Sequence, residues 1–174
     1  MPKYIRELDG LRGFAILFVL FYHSKIIIFD IPIFQGGFIG VNIFFVISGF
    51  LIGSIFLEKI KLNLNLDLVY FLQRRIRRLV PALTVSVIIS LIIFFYNLKS
   101  SDLTELAKSS LTSIFFFSNF FFNKFQYGDL GGLYKPLLHT WSISLEMQFY
   151  IFSSFFFFIL AKLDRTNNKR HIVI

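Results

Sequence analysis

Long apolar runs alternate with short charged stretches along the whole chain. Residues 11–29, 38–57, 79–98, 109–122 and 139–161 are each dominated by Phe, Leu, Ile and Val. Crossing roughly 30 Å of hydrocarbon at about 1.5 Å per helical residue takes about 20 apolar residues. The second and third runs meet that length without a charge. The first carries Arg12, His23 and Lys25, the fourth is short, and the fifth is interrupted by Glu146. The pattern predicts an all-α polytopic membrane bundle of about five transmembrane helices. The first run lacks an A-x-A-like cleavage site and is followed by further spans, so it does not read as a cleaved signal peptide.

Composition supports the same class. Of 174 residues, 56% are apolar and 16% charged, with 26 Phe. Soluble domains hold about 25% charged residues. The Phe-rich runs at 115–122 and 155–158 suit lipid contact. Cysteine is absent, which removes disulfides, thiolate metal sites and cysteine nucleophiles. The net charge of +8 would suggest nucleic acid in a soluble protein. In a membrane protein it follows from basic residues in cytoplasmic loops, so no nucleic-acid partner is expected. Residues 58–78 carry Lys59, Lys61, Arg74, Arg75, Arg77 and Arg78 against Glu58 and Asp67, while residues 24–37 and 99–108 are neutral. This distribution places 58–78, and with it the N-terminus, in the cytoplasm. Five crossings would leave the basic tail 162–174 outside, unless the fourth run is not a full crossing.

Ionisable groups inside spans are costly, at least about 2.5–3.5 kcal/mol at a helix centre, and are functional candidates. Arg12 and His23 lie eleven residues apart, within about 20° of one helical face and roughly 16 Å along it. Arg12 is equally readable as a snorkelling anchor, and His23 as a satisfied interhelical contact. His139, Ser142 and Glu146 share one face at spacings of three and four, which suits either an oriented base or a polar stripe between helices. Arg74, Arg75, Arg77 and Arg78 fix topology and could also bind an anionic ligand. Gly36, Gly37 and Gly40 open the second run and allow tight turns. Gly49 and Gly53 form a small-xxx-small pair.

At these residues the chain resembles acyltransferase family 3, integral-membrane O-acyltransferases of surface carbohydrates. The resemblance rests on five ordered stretches: RELDGLRGFA at 6–15, YHS at 22–24, GGFIGVNIFFVISGFLI at 36–52, FLQRRIRRLVPA at 71–82 and LHTWSISLEMQFY at 138–150. Asn42 stands where the family often has Asp. The resemblance implies one membrane domain over 1–174, the N-terminal half of a ten-span fold, with a C-terminal half or a second chain to complete it. It implies acyl transfer, most often acetyl, from acetyl-CoA or another acyl-CoA to a hydroxyl of a carbohydrate or lipid-linked acceptor, without a metal, in the bacterial inner membrane. His23 is then the expected base or transient acyl carrier. Arg12 would contact a CoA phosphate or the developing oxyanion, and Arg74, Arg75, Arg77 and Arg78 would collect CoA's phosphates. Ser48 and Gly49 would line the cavity. Glu146 would orient His139 or His23, making His23 and Glu146 one site. The alternatives are a transport or channel component with an Arg–His–Glu path, and an inactive membrane remnant.

Overall fold

The computed structural model describes residues 5–24, 26–29, 31–32, 35–95, 99–123 and 135–171. The element order is α1 (Arg6–Ser24), β1 (Ile27–Ile28), β2 (Ile31–Pro32), α2 (Ile39–Lys61), α3 (Leu68–Phe95), α4 (Ser100–Ile114), α5 (Ser118–Phe122) and α6 (Thr140–His171). The two strands form one antiparallel ladder. Helices carry the architecture, as the hydrophobic pattern predicts.

Three helices among the described residues are long and apolar enough to cross a membrane: α2, α3 and the Thr140–Asp164 part of α6. Large apolar side chains such as Val46, Val69, Ile92 and Phe152 point outward from them. Helices apolar on all sides belong in lipid, and the chain is an integral membrane protein.

The boundaries differ from expectation where polar side chains intervene. The first helix starts at Arg6, not 11, and ends at Ser24, not 29. Glu7 and Asp9 favour the positive end of its dipole. At its other end Ser24 Oγ donates to the Phe21 carbonyl, 2.7 Å away, closing the last turn. The basic loop shrinks to residues 62–67, because α2 runs on to Lys61 and α3 begins at Leu68. Asp67 caps α3 by accepting the Tyr70 N–H at 2.9 Å. The Arg-rich stretch is therefore helix rather than turn, continuing through Pro81. Residues 96–98, the expected end of the third run, and 124–134, most of the loop before the fifth, lie outside the described residues.

The fourth run is not one span. It divides into α4 and α5 at residues 115–117. The Phe117 N–H donates to the Thr112 carbonyl and Phe116 N–H to Ser113, a paired C-terminal cap. This cap needs one residue in the left-handed region, and Phe116 takes it at φ 59°. Asn63 does the same after α2 at φ 52°, where an Asn is well suited.

The chain divides into two compact units. The first holds Met1–Leu66 and Phe156–Ile174, the second Asp67–Phe155. In the first, α1 packs on α2, and Phe56 stacks on Phe157 at 5.1 Å. In the second, Leu83, Val87, Leu106, Phe122 and Leu137 form a buried core joined by Trp141 and Ile143.

Candidate functional site

In the first unit, glycine decides how closely α1 and α2 approach. A Cβ on Gly37 would overlap the Phe18 carbonyl and crowd Tyr22. One on Gly40 would overlap the Ala15 carbonyl and lie 2.9 Å from Val19 Cγ2. Lipid tails give helices no hydrophobic reason to associate, so this backbone contact supplies van der Waals packing instead. The Gly49–Gly53 pair has no such role at Gly53, whose nearest neighbour is Phe157 at 3.9 Å.

The contacts set an antiparallel register: Gly37 against Phe18 and Tyr22, Gly40 against Ala15 and Val19, Phe44 against Arg12. The Arg12 guanidinium lies 5.7 Å from the Phe44 ring centroid and 3.6 Å from Asp9 Oδ1. Its Nε is buried without a hydrogen-bond partner. Ser48, one turn beyond Phe44 on the same face of α2, is 2% exposed, and its Oγ also lacks a partner. Among the described residues these are the buried side-chain polar atoms left unpaired. A guanidinium N–H and a hydroxyl on one seam can both donate to a carbonyl or anionic oxygen. Gly49 sits beside Ser48, half-buried.

His23 is exposed in the last turn of α1. Its Nδ1 lies 2.8 Å from the Val19 carbonyl, which can only accept. Nδ1 therefore carries the proton, and Nε2 is the basic nitrogen of the neutral ring. Arg12 and His23 share a helix but are separated by roughly 16 Å along it.

In the second unit the arginines divide. Arg74, Arg77 and Arg78 are exposed, with Arg74 5.8 Å from the Tyr70 ring centroid. Arg75 is half-buried, 5.1 Å from the ring centroids of both Phe71 on its own helix and Tyr150 on α6. Tyr150 donates its phenolic proton to Glu146 Oε1, one turn away. Glu146 is 9% exposed. The expected Glu146–His139 pairing is not formed. Six residues, the first two turns of α6, lie between the two, and His139 Nδ1 bonds to the Pro136 carbonyl at 3.0 Å. Its Nε2 lies 3.4 Å from Ser86 Oγ on α3. Ser142 donates to the His139 carbonyl rather than to the imidazole. His23 belongs to the first unit and Glu146 to the second, and each is described in its own.

Sequence reasoning missed the polar framework that holds the α4–α5 break. Ser113 Oγ and Thr140 Oγ1 lie 2.7 Å apart, Thr140 Oγ1 donates to Ser118 Oγ, and Ser118 and Ser144 Oγ lie 2.7 Å apart. Gln148 donates to the Phe116 carbonyl at 2.7 Å and exchanges hydrogen bonds with Asn119. The Phe116 carbonyl and the Ser118 N–H, which donates to Ser144 Oγ at 3.2 Å, are thus held by protein at the break, as irregular backbone at membrane depth requires. Tyr150 was also missed, although its i+4 spacing from Glu146 was a readable signal. Among the described residues, no group of three or more His, Asp or Glu side chains could hold a metal.

Comparison with known proteins reaches most of the chain. The family model described as "Acyltransferase domain" matches residues 5–169. The chain is 38% identical over 164 residues to the peptidoglycan O-acetyltransferase OatA of Listeria monocytogenes, covering 92% of this chain and 25% of that protein. It is 43% identical over 151 residues to YrhL of Bacillus subtilis, covering 86% and 23%. Against the O-acetyltransferase OatA of Staphylococcus aureus it is 33% identical over 160 residues, covering 86% and 24%. The chain thus spans about a quarter of the length of these relatives. No solved structure matches it.

Proposed function

The chain belongs to the acyltransferase-domain family, and from that premise we propose that it transfers an acyl group, acetyl in the first instance, from acyl-CoA to a hydroxyl of a cell-wall carbohydrate. The single observation that carries the reading is the family match over residues 5–169, together with relatives named as O-acetyltransferases. Peptidoglycan is the acceptor class that the Listeria relative's name points to. The proposed setting is the bacterial inner membrane, with the N-terminus and residues 62–67 in the cytoplasm, on the strength of the basic residues flanking that connection. We assign the matched span to one membrane domain.

In this reading His23 Nε2 takes the proton of the acceptor hydroxyl. The freed oxygen attacks the thioester carbonyl, the new C–O bond forms, and the C–S bond breaks. CoA leaves as a thiolate and takes up a proton. Arg12 and Ser48, on the seam roughly 16 Å along α1 from His23, hydrogen-bond an anionic oxygen of the donor away from the reacting carbonyl. Their unpartnered donor atoms support this assignment. The arginine row of α3 binds the donor's phosphates by charge-assisted contacts. Glu146 contributes a carboxylate to the same reaction.

The test is base-labile acetate on the wall of cells that express the chain, with radiolabelled acetyl-CoA supplied to their membranes. Removing a general base costs about 10²–10⁴-fold. His23→Ala should lose transfer by that factor while still inserting. Wild-type acetate no higher than in cells without the chain would overturn the function. Near-normal transfer by His23→Ala would move the base to His139.

A further inference from the structure

The outward face of α3 changes character at Pro81. Arg74, Arg78, Pro81, Val85, Ile88 and Ile92 follow one another at spacings of three and four, with Arg77 beside Arg78, and share that face. All of them are exposed, while Leu83 and Val87 on the opposite side belong to the buried core. The face is therefore cationic near the start of the helix and apolar beyond it. Arg74 rests against the Tyr70 ring, and none of Arg74, Arg77 and Arg78 forms an ion pair among the described residues. The helix itself contains no acidic residue. Within one turn of Arg78 an open groove of about 600 Å³ begins, lined by Pro81, Ala82, Val85, Ser86, Ile89 and Ser90. Arg78, Ala82, Ser86 and Ser90 are successive members of one i, i+4 row, so a guanidinium stands at the end of a largely apolar groove.

We infer that an anionic phospholipid docks on this face, with its phosphate on Arg74, Arg77 and Arg78 and one acyl chain in the groove. The order of the residues matches the order of groups in such a lipid. Its phosphate lies within a few bonds of its acyl chains, as the arginines lie within one turn of Pro81 and Ala82. In CoA a long amide-bearing arm separates the phosphates from the acyl group, and that arm gains little from Pro81, Ala82, Val85 and Ile89. Inorganic phosphate gains nothing from the groove. Arginine suits the task because its planar fork pairs with phosphate oxygens and is less strongly hydrated than an ammonium, so it loses less beside hydrocarbon. Tyr70 adds an amphipathic ring at the same level, where membrane interfaces favour one. The inference does not depend on the acyl-transfer reading. That reading sends the donor's phosphates to the same arginines, and the lipid is then a competitor there.

The experiment reconstitutes the full chain in vesicles of equal phosphatidylglycerol and phosphatidylcholine, extracts it in mild detergent and counts the retained lipid by mass spectrometry. A basic residue near a membrane surface is worth roughly fivefold in binding an anionic lipid. Three of them set an expected preference for phosphatidylglycerol on the order of a hundredfold. Arg77→Gln with Arg78→Gln should cut that preference about 25-fold. Arg77→Lys with Arg78→Lys keeps the charges that orient the helix and should stay within about fivefold of wild type, which separates lost binding from failed insertion. Ala82→Phe fills the groove without touching a charge. It should lower retention about threefold to fivefold, the worth of several lost van der Waals contacts. Val46→Phe, at an exposed position on α2, should not.

A preference that falls with the Gln pair, survives the Lys pair and weakens with Ala82→Phe supports the inference. No preference in the wild type, or one unmoved by the Gln pair, overturns it. So does a preference blind to Ala82→Phe, which would leave only a diffuse attraction of charge for a surface. A face covered by a second copy of the chain would retain neither lipid and would overturn it too. A chain that keeps phosphatidylglycerol and binds no CoA supports the inference and defeats the donor site of the proposed function. One that binds CoA and keeps no phosphatidylglycerol does the reverse.

Discussion

The α1–α2 seam and the α4–α5–α6 junction both bury polar side chains at helix contacts in a membrane protein. At the junction, Ser113, Ser118, Thr140 and Ser144 bond to one another, and Gln148 takes up a backbone carbonyl. On the seam, Arg12 Nε and Ser48 Oγ are sealed in without partners. An unpaired buried polar atom costs about 1–3 kcal/mol, whereas a paired one is near neutral or mildly stabilising. The junction therefore reads as structure. The seam carries a cost that packing does not explain, and a ligand oxygen would remove it.

The comparison breaks most severely at glycine. The seam exists only while Gly40 has no Cβ, because the atom it would strike is the Ala15 carbonyl, which is backbone and cannot step aside. In an ordinary helix Gly→Ala gains up to about 1 kcal/mol. At Gly40, overpacking of about 1–3 kcal/mol should reverse that sign for Ala, and Val should prevent the folded pair altogether. Gly13→Ala, with nothing within 4 Å, should keep the ordinary gain. Thermal melting in detergent reads both signs. A Gly40→Ala chain as stable as Gly13→Ala would dissolve the seam.

At the junction the largest effect belongs to Gln148. Gln148→Leu strands the Phe116 carbonyl and both hydrogen bonds to Asn119, at a residue already held in a left-handed conformation. The expected loss is about 1–3 kcal/mol. The same melts check it, and Gln148→Glu, which cannot donate when ionised, should fall with Leu rather than with wild type. A Gln148→Leu melt at the wild-type temperature would remove the junction's status as a structural clamp.

Much of this was legible in the residues. Apolar run length gave the second, third and fifth helices, because lipid imposes that length directly. The first helix shifted by five residues since its start follows capping charge rather than hydrophobicity. The α4–α5 break was unreadable, as Phe116 has no intrinsic preference for its conformation and is held there by Gln148 from another helix. Among site residues, spacing put Glu146 and His139 on one face, and the same helical spacing offered Tyr150, one turn on, as the rival that takes the carboxylate. The unpaired state of Ser48 was invisible, since it depends on which α1 atoms face it.

Arg12 sharpens the seam with a smaller stability effect. Arg12→Met keeps the stem that packs on α2 and discards the guanidinium with its unpaired Nε. The exposed partner Asp9 contributes little, since such ion pairs are worth about 0–1 kcal/mol. Stability should therefore stay within about 1 kcal/mol of wild type while wall acetate disappears. A melt lowered by several kcal/mol would return Arg12 to a purely structural anchor.

Ser48 provides the finest test, because the same substitution can be made on both sides of the comparison. Ser144→Ala removes a hydroxyl that pairs with the Ser118 hydroxyl and receives the Ser118 N–H, so two buried groups lose a partner and stability should fall by about 1–3 kcal/mol. Ser48→Ala removes a hydroxyl with no partner and leaves no group stranded. The methyl fits where CH₂OH stood, and the desolvation cost of the hydroxyl is gone. Stability should hold or rise by up to about 1 kcal/mol, with acyl transfer reduced if the hydroxyl binds an oxygen of the donor. Opposite signs from one chemical change would separate the paired junction from the waiting seam. A Ser48→Ala chain that melted as early as Ser144→Ala would show that Ser48 is paired in the membrane after all, and would withdraw it from the site.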